Sequence, residues 1–239
     1  WRTITALVGP TPGPTPRRAW PPRVIGTCIV GLLLSVLAAG IVYGFVAAIA
    51  EPSPALAVGV TIPIQYYGMF VIARRVSRRY GTGDVVRDLR WRVTRHDVWP
   101  GIGTAVLALV VAAAVGSAVR ALLNFPAGPS ESQFGDLTDS SAARWLLLLV
   151  AVFGAPIFEE LLFRGLVLPA LHHLRPLSAI AISSALFAST HLNPSIGGRS
   201  NVLIVASTFS TGSVLAWAAL RTRRLGPVMI AHSLFNLPV

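Results

Sequence analysis

The sequence predicts an all-α fold: a polytopic transmembrane bundle of about seven spans with a cytoplasmic N-terminus. Three observations predict it. Of the 239 residues 54% are hydrophobic, and the mean hydropathy is +0.67. Charged residues make up only 12%, about half the roughly 25% usual in soluble domains. The apolar residues are gathered into uncharged runs of roughly 20, the length that crosses a bilayer as a helix. So few charges cannot cover a water-soluble fold of this size, which argues against a cytosolic globular enzyme. The 20 basic residues, all Arg, against 9 carboxylates give +11 and a pI near 11.5. Such a balance often signals nucleic-acid binding. Here the arginines lie between apolar runs rather than on a folded polar domain, so no nucleic-acid partner is expected.

Along the chain, residues 1–23 read as a Pro-rich cytoplasmic tail, partly disordered, because GPTPGPTPRRAWPP is too rich in Pro and Gly for a helix. The first apolar run, about Val24 to Ala50, exceeds a signal-peptide core and lacks a small-residue cleavage pattern after it. It reads as a retained anchor. Cys28 within it is the sole cysteine, which leaves no disulfide framework and no paired-cysteine metal site. Further spans fall near 54–73, 99–123, 145–168, 176–193 and 202–220, and a seventh starts near Leu225. Residues 24–144 therefore form the N-terminal membrane helices with a basic cytoplasmic loop at 74–97, and 145–239 form a second membrane segment. The sequence begins at Trp1 rather than Met and stops inside an apolar run, so residues are expected beyond both ends.

Orientation follows from the loops. With the N-terminus inside, 16 arginines lie on the cytoplasmic side, and Arg120, Arg144 and Arg199 lie outside with Glu51, Glu131, Asp136 and Asp139. This is the positive-inside asymmetry. The eight arginines of 74–97 would attract anionic headgroups at about 1 kcal/mol each near the surface, but a topology determinant explains them equally and is preferred. Trp20, Trp91, Trp99 and Trp145 fall near span ends, as interfacial belt residues do. His172 and His173 read as interfacial, and His96 as a loop residue without an evident role. The small-residue stretch at 207–213 suits close helix contact. Basic residues that are all Arg hint at a bacterial coding sequence, and so at a bacterial plasma membrane.

One span departs from the pattern. The fourth contains Glu159, Glu160 and Arg164, each costing roughly 2.5–3.5 kcal/mol at the bilayer centre. This helix needs partners or a water-filled cavity. Glu160 and Arg164 stand at i and i+4 in the favourable order for an ion pair. Glu159, turned about 100° away, is the freer carboxylate and the better candidate for a general base. Pro156, one turn earlier, can kink the helix and admit water. A purely structural Glu–Arg pair is the competing reading. Two other spans carry polar groups: the fifth has Phe187 and His191 on one face, the seventh His232 and Asn236. Each is costly facing lipid, so they are expected to converge with the two carboxylates on a shared cavity.

In this order, E-E-x-x-x-R at Glu159, Glu160 and Arg164, F-x-x-x-H at Phe187 and His191, and H-x-x-x-N at His232 and Asn236 resemble the three motifs of the CAAX-protease and bacteriocin-processing (CPBP, or ABI) intramembrane proteases. The resemblance covers about residues 145–239. It implies peptide-bond hydrolysis in the membrane, with Glu159 and His191 activating water and His232 and Asn236 stabilising the oxyanion. Arg164 with Glu160 would hold the first motif in shape. Family members are often described as metal-dependent, so Glu159, His191 and His232 are candidate Zn²⁺ ligands. A water held by Glu and His without an obligatory metal is slightly preferred. The implied partners are membrane lipids and a membrane-associated peptide or protein substrate. The rival function is a non-proteolytic subunit, immunity-type partner or scaffold in a larger membrane complex. A transporter is weaker still, since repeat halves and paired broken helices are not evident.

Overall fold

The computed structural model describes residues 19–51, 53–125, 141–193 and 196–237. Most of the Pro-rich tail, with Arg2, Arg17 and Arg18, and the acidic loop residues Glu131, Asp136 and Asp139 lie outside the described residues. Within them the chain is helical, without a strand. The elements are α1 (Arg23–Ala47), α2 (Pro54–Tyr80), a short α3 (Val85–Asp88), α4 (Val98–Leu122), α5 (Ser141–Ala170), α6 (Pro176–Ser189), α7 (Gly198–Thr222) and α8 (Gly226–Phe235).

Local chemistry sets several of these boundaries. Ser53 caps α2 by accepting the Leu56 N–H, with Pro54 pre-set for the first helical position. Asp84 caps α3 in the same way through the Arg87 N–H. Arg223, with φ of 56°, takes the left-handed conformation that ends α7. α6 stops early. The Ser189 hydroxyl donates to the Leu186 carbonyl at 2.8 Å and the Thr190 hydroxyl to the Phe187 carbonyl at 2.7 Å, competing with a further helical turn. Pro194 in the sequence also disfavours helix at Asn193.

Five helices are long and apolar enough to cross a membrane: α1, α2, Arg95–Leu122 (which includes α4), α5 and α7. The expected fifth and seventh spans are present as shorter apolar helices of 14 and 10 residues. At 1.5 Å per residue these reach about 21 and 15 Å, less than the roughly 30 Å hydrocarbon core.

The central element is α5. α1 and α2 pack on one side of it and α6 and α8 on others, while α4 lies against α7 and α8. Every residue from Glu160 to Leu171 is buried, so the ionic part of α5 never meets lipid. The outward faces of α1 and α4 carry exposed Leu33, Leu37, Ile41, Phe45, Val106 and Val110. This is the apolar surface expected against acyl chains, and it is far more than a soluble monomer tolerates. Small residues bring α1 and α2 together. A Cβ on Gly68 would lie 2.3 Å from Ser35 Cβ, and one on Gly31 2.6 Å from Ile72.

The end of the bundle that holds the arginine-rich loop is tied by buried Asp97. Its Oδ2 accepts from Thr94 N–H at 2.7 Å, from Thr94 Oγ1 at 2.9 Å and from Arg224 Nη2 at 2.9 Å. This joins the start of α4 to the start of α8. Trp20 corrects the belt expectation. It is 1% exposed and donates its indole N–H to the Gly165 carbonyl at 2.8 Å, so it anchors the chain entering α1 to α5. Trp99 and Trp145 are exposed, as the belt reading expects.

Candidate active site

The site is built on two irregular stretches of α5. Val150–Gly154 and Leu161–Val167 are wound as π-helix, with Glu159 and Glu160 on the α-helical segment between them. A π-turn places its hydrogen bond one residue further along the chain. Ala155 N–H accordingly reaches the Val150 carbonyl. Pro156 follows at once, and its missing donor is a reason for the ladder to be rewound here.

Glu160 and Arg164 are both fully buried, with Arg164 Nη1 donating to Glu160 Oε1 at 3.0 Å. Arg164 Nη2 donates to the Gly212 carbonyl of α7 at 3.0 Å. The guanidinium also lies 4.4 Å from the centroid of the Phe187 ring, a cation–π contact in a dry site. Gly212 permits this approach, because a Cβ there would fall 2.9 Å from Phe187 Cδ1. The small-residue stretch at 207–213 therefore serves the close contact expected of it.

The same carboxylate oxygen of Glu160 receives a second partner, His232 Nδ1 of α8, at 2.9 Å. A carboxylate shared with Arg164 is an acceptor, so Nδ1–H donates and Nε2 is the ring atom left for the cavity. That Nε2 lies 3.9 Å from Glu159 Oε2. Glu159 Oε2 itself has no hydrogen-bond partner among the described residues. His191 stands just beyond the end of α6. Its Nδ1 faces the Phe187 carbonyl at 3.1 Å, which again assigns the proton to Nδ1 and leaves Nε2 as the acceptor. Asn236 donates one amide N–H to the Ala151 carbonyl at 2.8 Å, a carbonyl within the first π stretch. Its second N–H is not spent there.

Phe187 lies behind this group. It is 2% exposed, with ring centroids 4.9 Å from His191, 6.0 Å from His232 and 5.2 Å from Phe163. One ring thus spaces both histidines and the arginine. Glu159, His191, His232 and Asn236 all line one cavity of about 640 Å³, which α1 and α2 also line. Glu160 and Arg164 do not line the cavity and lie fully buried between α5, α7 and α8.

For a metal the fit is poor. Among the described residues no group of three or more His, Cys, Asp or Glu side chains is placed to hold one ion. Glu159 and His232 approach one another, but His191 does not complete a three-ligand set with them, and no step below is routed through a metal.

Three contacts were not foreseen in the sequence: Glu160 to His232, Asn236 to Ala151, and a ring on α2. Tyr66 stacks on Phe158, the residue before Glu159, with centroids 4.8 Å apart and planes 21° apart. It lines the cavity together with Gln65. A lone Gln in an otherwise apolar span was the available signal.

The fold and the site together define a class, a multi-pass helical membrane protein with a carboxylate, two histidines and an asparagine on one cavity. Within it, residues 141–238 match the family model of the type II CAAX prenyl endopeptidase Rce1-like proteins. This segment is similar to that CAAX-protease family of membrane endopeptidases. The match covers less than half of the 239 residues and leaves α1–α4 outside it. No curated protein and no solved structure matches the chain.

Proposed function

We propose that the protein is an intramembrane endopeptidase that cleaves membrane-associated peptides or proteins with Glu159, His191, His232 and Asn236. The observation that carries this reading is their arrangement on one cavity, with Glu159 facing the cavity and lacking a protein hydrogen bond at Oε2, while Glu160 beside it is fully buried and holds Arg164 and His232 through Oε1.

In this mechanism Glu159, assisted by His191 Nε2, takes a proton from a water as the water oxygen bonds to the scissile carbonyl carbon. The carbonyl π electrons move to oxygen, and the resulting oxyanion is met by the spare N–H of Asn236 and by His232 Nε2 when protonated. Fixed donors aimed at developing charge in a low-dielectric site are the most effective stabilisers of such a state. Collapse breaks the C–N bond, and the proton held by Glu159 passes to the leaving amine. Glu160 and Arg164 position His232 and do not touch the substrate. An all-arginine basic composition supports a bacterial plasma membrane as the setting.

The test is cleavage of an internally quenched CAAX-type peptide, prenylated and unprenylated, by the purified protein in proteoliposomes. Glu159→Gln is expected to lose at least 10²–10⁴-fold, the range of a general base. A zinc chelator is expected to leave the rate unchanged. Wild-type rates in Glu159→Gln would overturn the Glu159 mechanism, and no cleavage by the purified wild type would instead favour a non-catalytic subunit of a membrane complex.

A further inference from the structure

The catalytic groups account for one wall of the cavity. A further part of the lining is a helical stripe of α2, Ile62, Gln65, Tyr66 and Met69, facing in at i, i+3, i+4 and i+7. Two of these four side chains are polar, near the middle of a 27-residue apolar helix. Neither makes a hydrogen bond among the described residues. Polar groups at membrane depth are costly unless satisfied, and both are turned towards the cavity rather than away from it.

They are also held there. The Tyr66 ring is stacked on Phe158 and pressed against Gly154, where a Cβ would lie 2.5 Å from Tyr66 Cε2. The first π stretch of α5 thus ends in a glycine that seats this ring. Pro63 precedes both residues within α2. The other hydroxyls on the cavity are already spent, Ser189 on Leu186 and Thr190 on Phe187.

A peptide entering a dry cavity brings more than its scissile bond. Each neighbouring peptide unit has an N–H and a C=O that lose water and need partners. A carboxamide offers one donor face and one acceptor face, the complement of a peptide unit. We infer that Gln65, with Tyr66 fixed beside it, is a substrate-backbone subsite that pairs with a peptide unit flanking the scissile bond, on the cavity it shares with Glu159. This rests on the proteolytic reading. It also gives α2, which lies outside the family match, a direct part in binding.

The experiment uses the full chain in proteoliposomes and the quenched prenylated peptide, alongside depsipeptide versions in which an ester replaces one flanking amide at a time. For Gln65→Leu, KM is expected to rise about tenfold, the size of one lost hydrogen bond in a desolvated site, with kcat nearly unchanged. Wild type is expected to discriminate against one particular ester by a similar factor, and Gln65→Leu to lose that discrimination. Tyr66→Phe, which keeps the stacked ring, is expected to give a smaller rise in KM. The inference is overturned if Gln65→Leu keeps the wild-type KM, or if its ester discrimination stays intact. Failure of the underlying reading looks different: wild type cleaves no peptide, or Glu159→Gln cleaves as fast as wild type, and the Gln65 subsite then falls with it.

Discussion

Glu159 and Glu160 are adjacent and chemically identical, yet the structure predicts opposite consequences for disturbing their surroundings. Arg164 makes an ion pair with Glu160 at 3.0 Å between side chains that are both 0% exposed. Replacing it by Met leaves a buried carboxylate supported only by His232 on that oxygen and costs about 3–5 kcal/mol. The Gly212 carbonyl also loses its donor, adding about 1 kcal/mol. Against a total stability of roughly 5–15 kcal/mol, Arg164→Met should be severely destabilised. Glu159→Gln should change stability by less than about 1 kcal/mol, since Oε2 makes no hydrogen bond and the side chain is 16% exposed. Adding Glu160→Gln to Arg164→Met should restore about 2 kcal/mol or more, because the uncompensated charge is then gone. The assay is reversible unfolding in mixed micelles, read as a double-mutant cycle. Two results would refute the reasoning: an Arg164→Met variant as stable as wild type, or a Glu159→Gln variant that loses as much.

Three further outcomes follow from the geometry. Asn236→Ala should reduce kcat by about 10²–10³, as loss of an oxyanion donor does, with KM little changed in the proteoliposome assay. Gly212→Ala should destabilise by about 1–3 kcal/mol and lower activity, because its Cβ falls 2.9 Å from Phe187 Cδ1; a melting curve and a rate check both. Asp97→Ala should cost about 1–3 kcal/mol by removing the shared acceptor for Thr94 and Arg224, with Arg224, 39% exposed, adding little through charge. Its activity at low temperature should stay near wild type.

What the sequence disclosed depended on how local each interaction is. Glu160 and Arg164 sit one turn apart on a helix, so i, i+4 spacing suffices to anticipate their contact. The bond from Glu160 to His232 joins residues 72 positions apart and depends on how α8 seats on α5, which hydropathy does not encode. The π-turns were hidden for another reason: one extra residue per turn leaves an apolar run looking the same. Gln65 and Tyr66 belong to none of the three motifs and stand in a span without other signs of chemistry, so only the cost of an uncharged amide in lipid marks them. Trp20 lies where a belt residue should, but its indole N–H found the Gly165 carbonyl instead of the headgroup layer. The expected span of 176–193 is longer than α6 because Thr190, His191, Leu192 and Asn193 are uncharged, so no charge marks where the helix stops.

That early stop has a consequence for the bilayer. α6 fills about 21 Å of a slab near 30 Å thick. Beyond its end the chain continues through 192–193 and 196–197 without helix. Asn201 receives the Asn193 N–H at 2.9 Å and donates to the carbonyls of Asn193 at 2.8 Å and Ile196 at 3.2 Å. Irregular backbone at that depth persists only where protein encloses it or water reaches it. A helix that short, set across the bilayer, would make the acyl chains beside it shorten or tilt and so dimple the leaflet next to His191. On the proteolytic reading the water would then cross a thinned rim instead of the full slab, which would make lipid chain length a control on turnover. In vesicles of progressively longer phospholipids, cleavage is expected to slow.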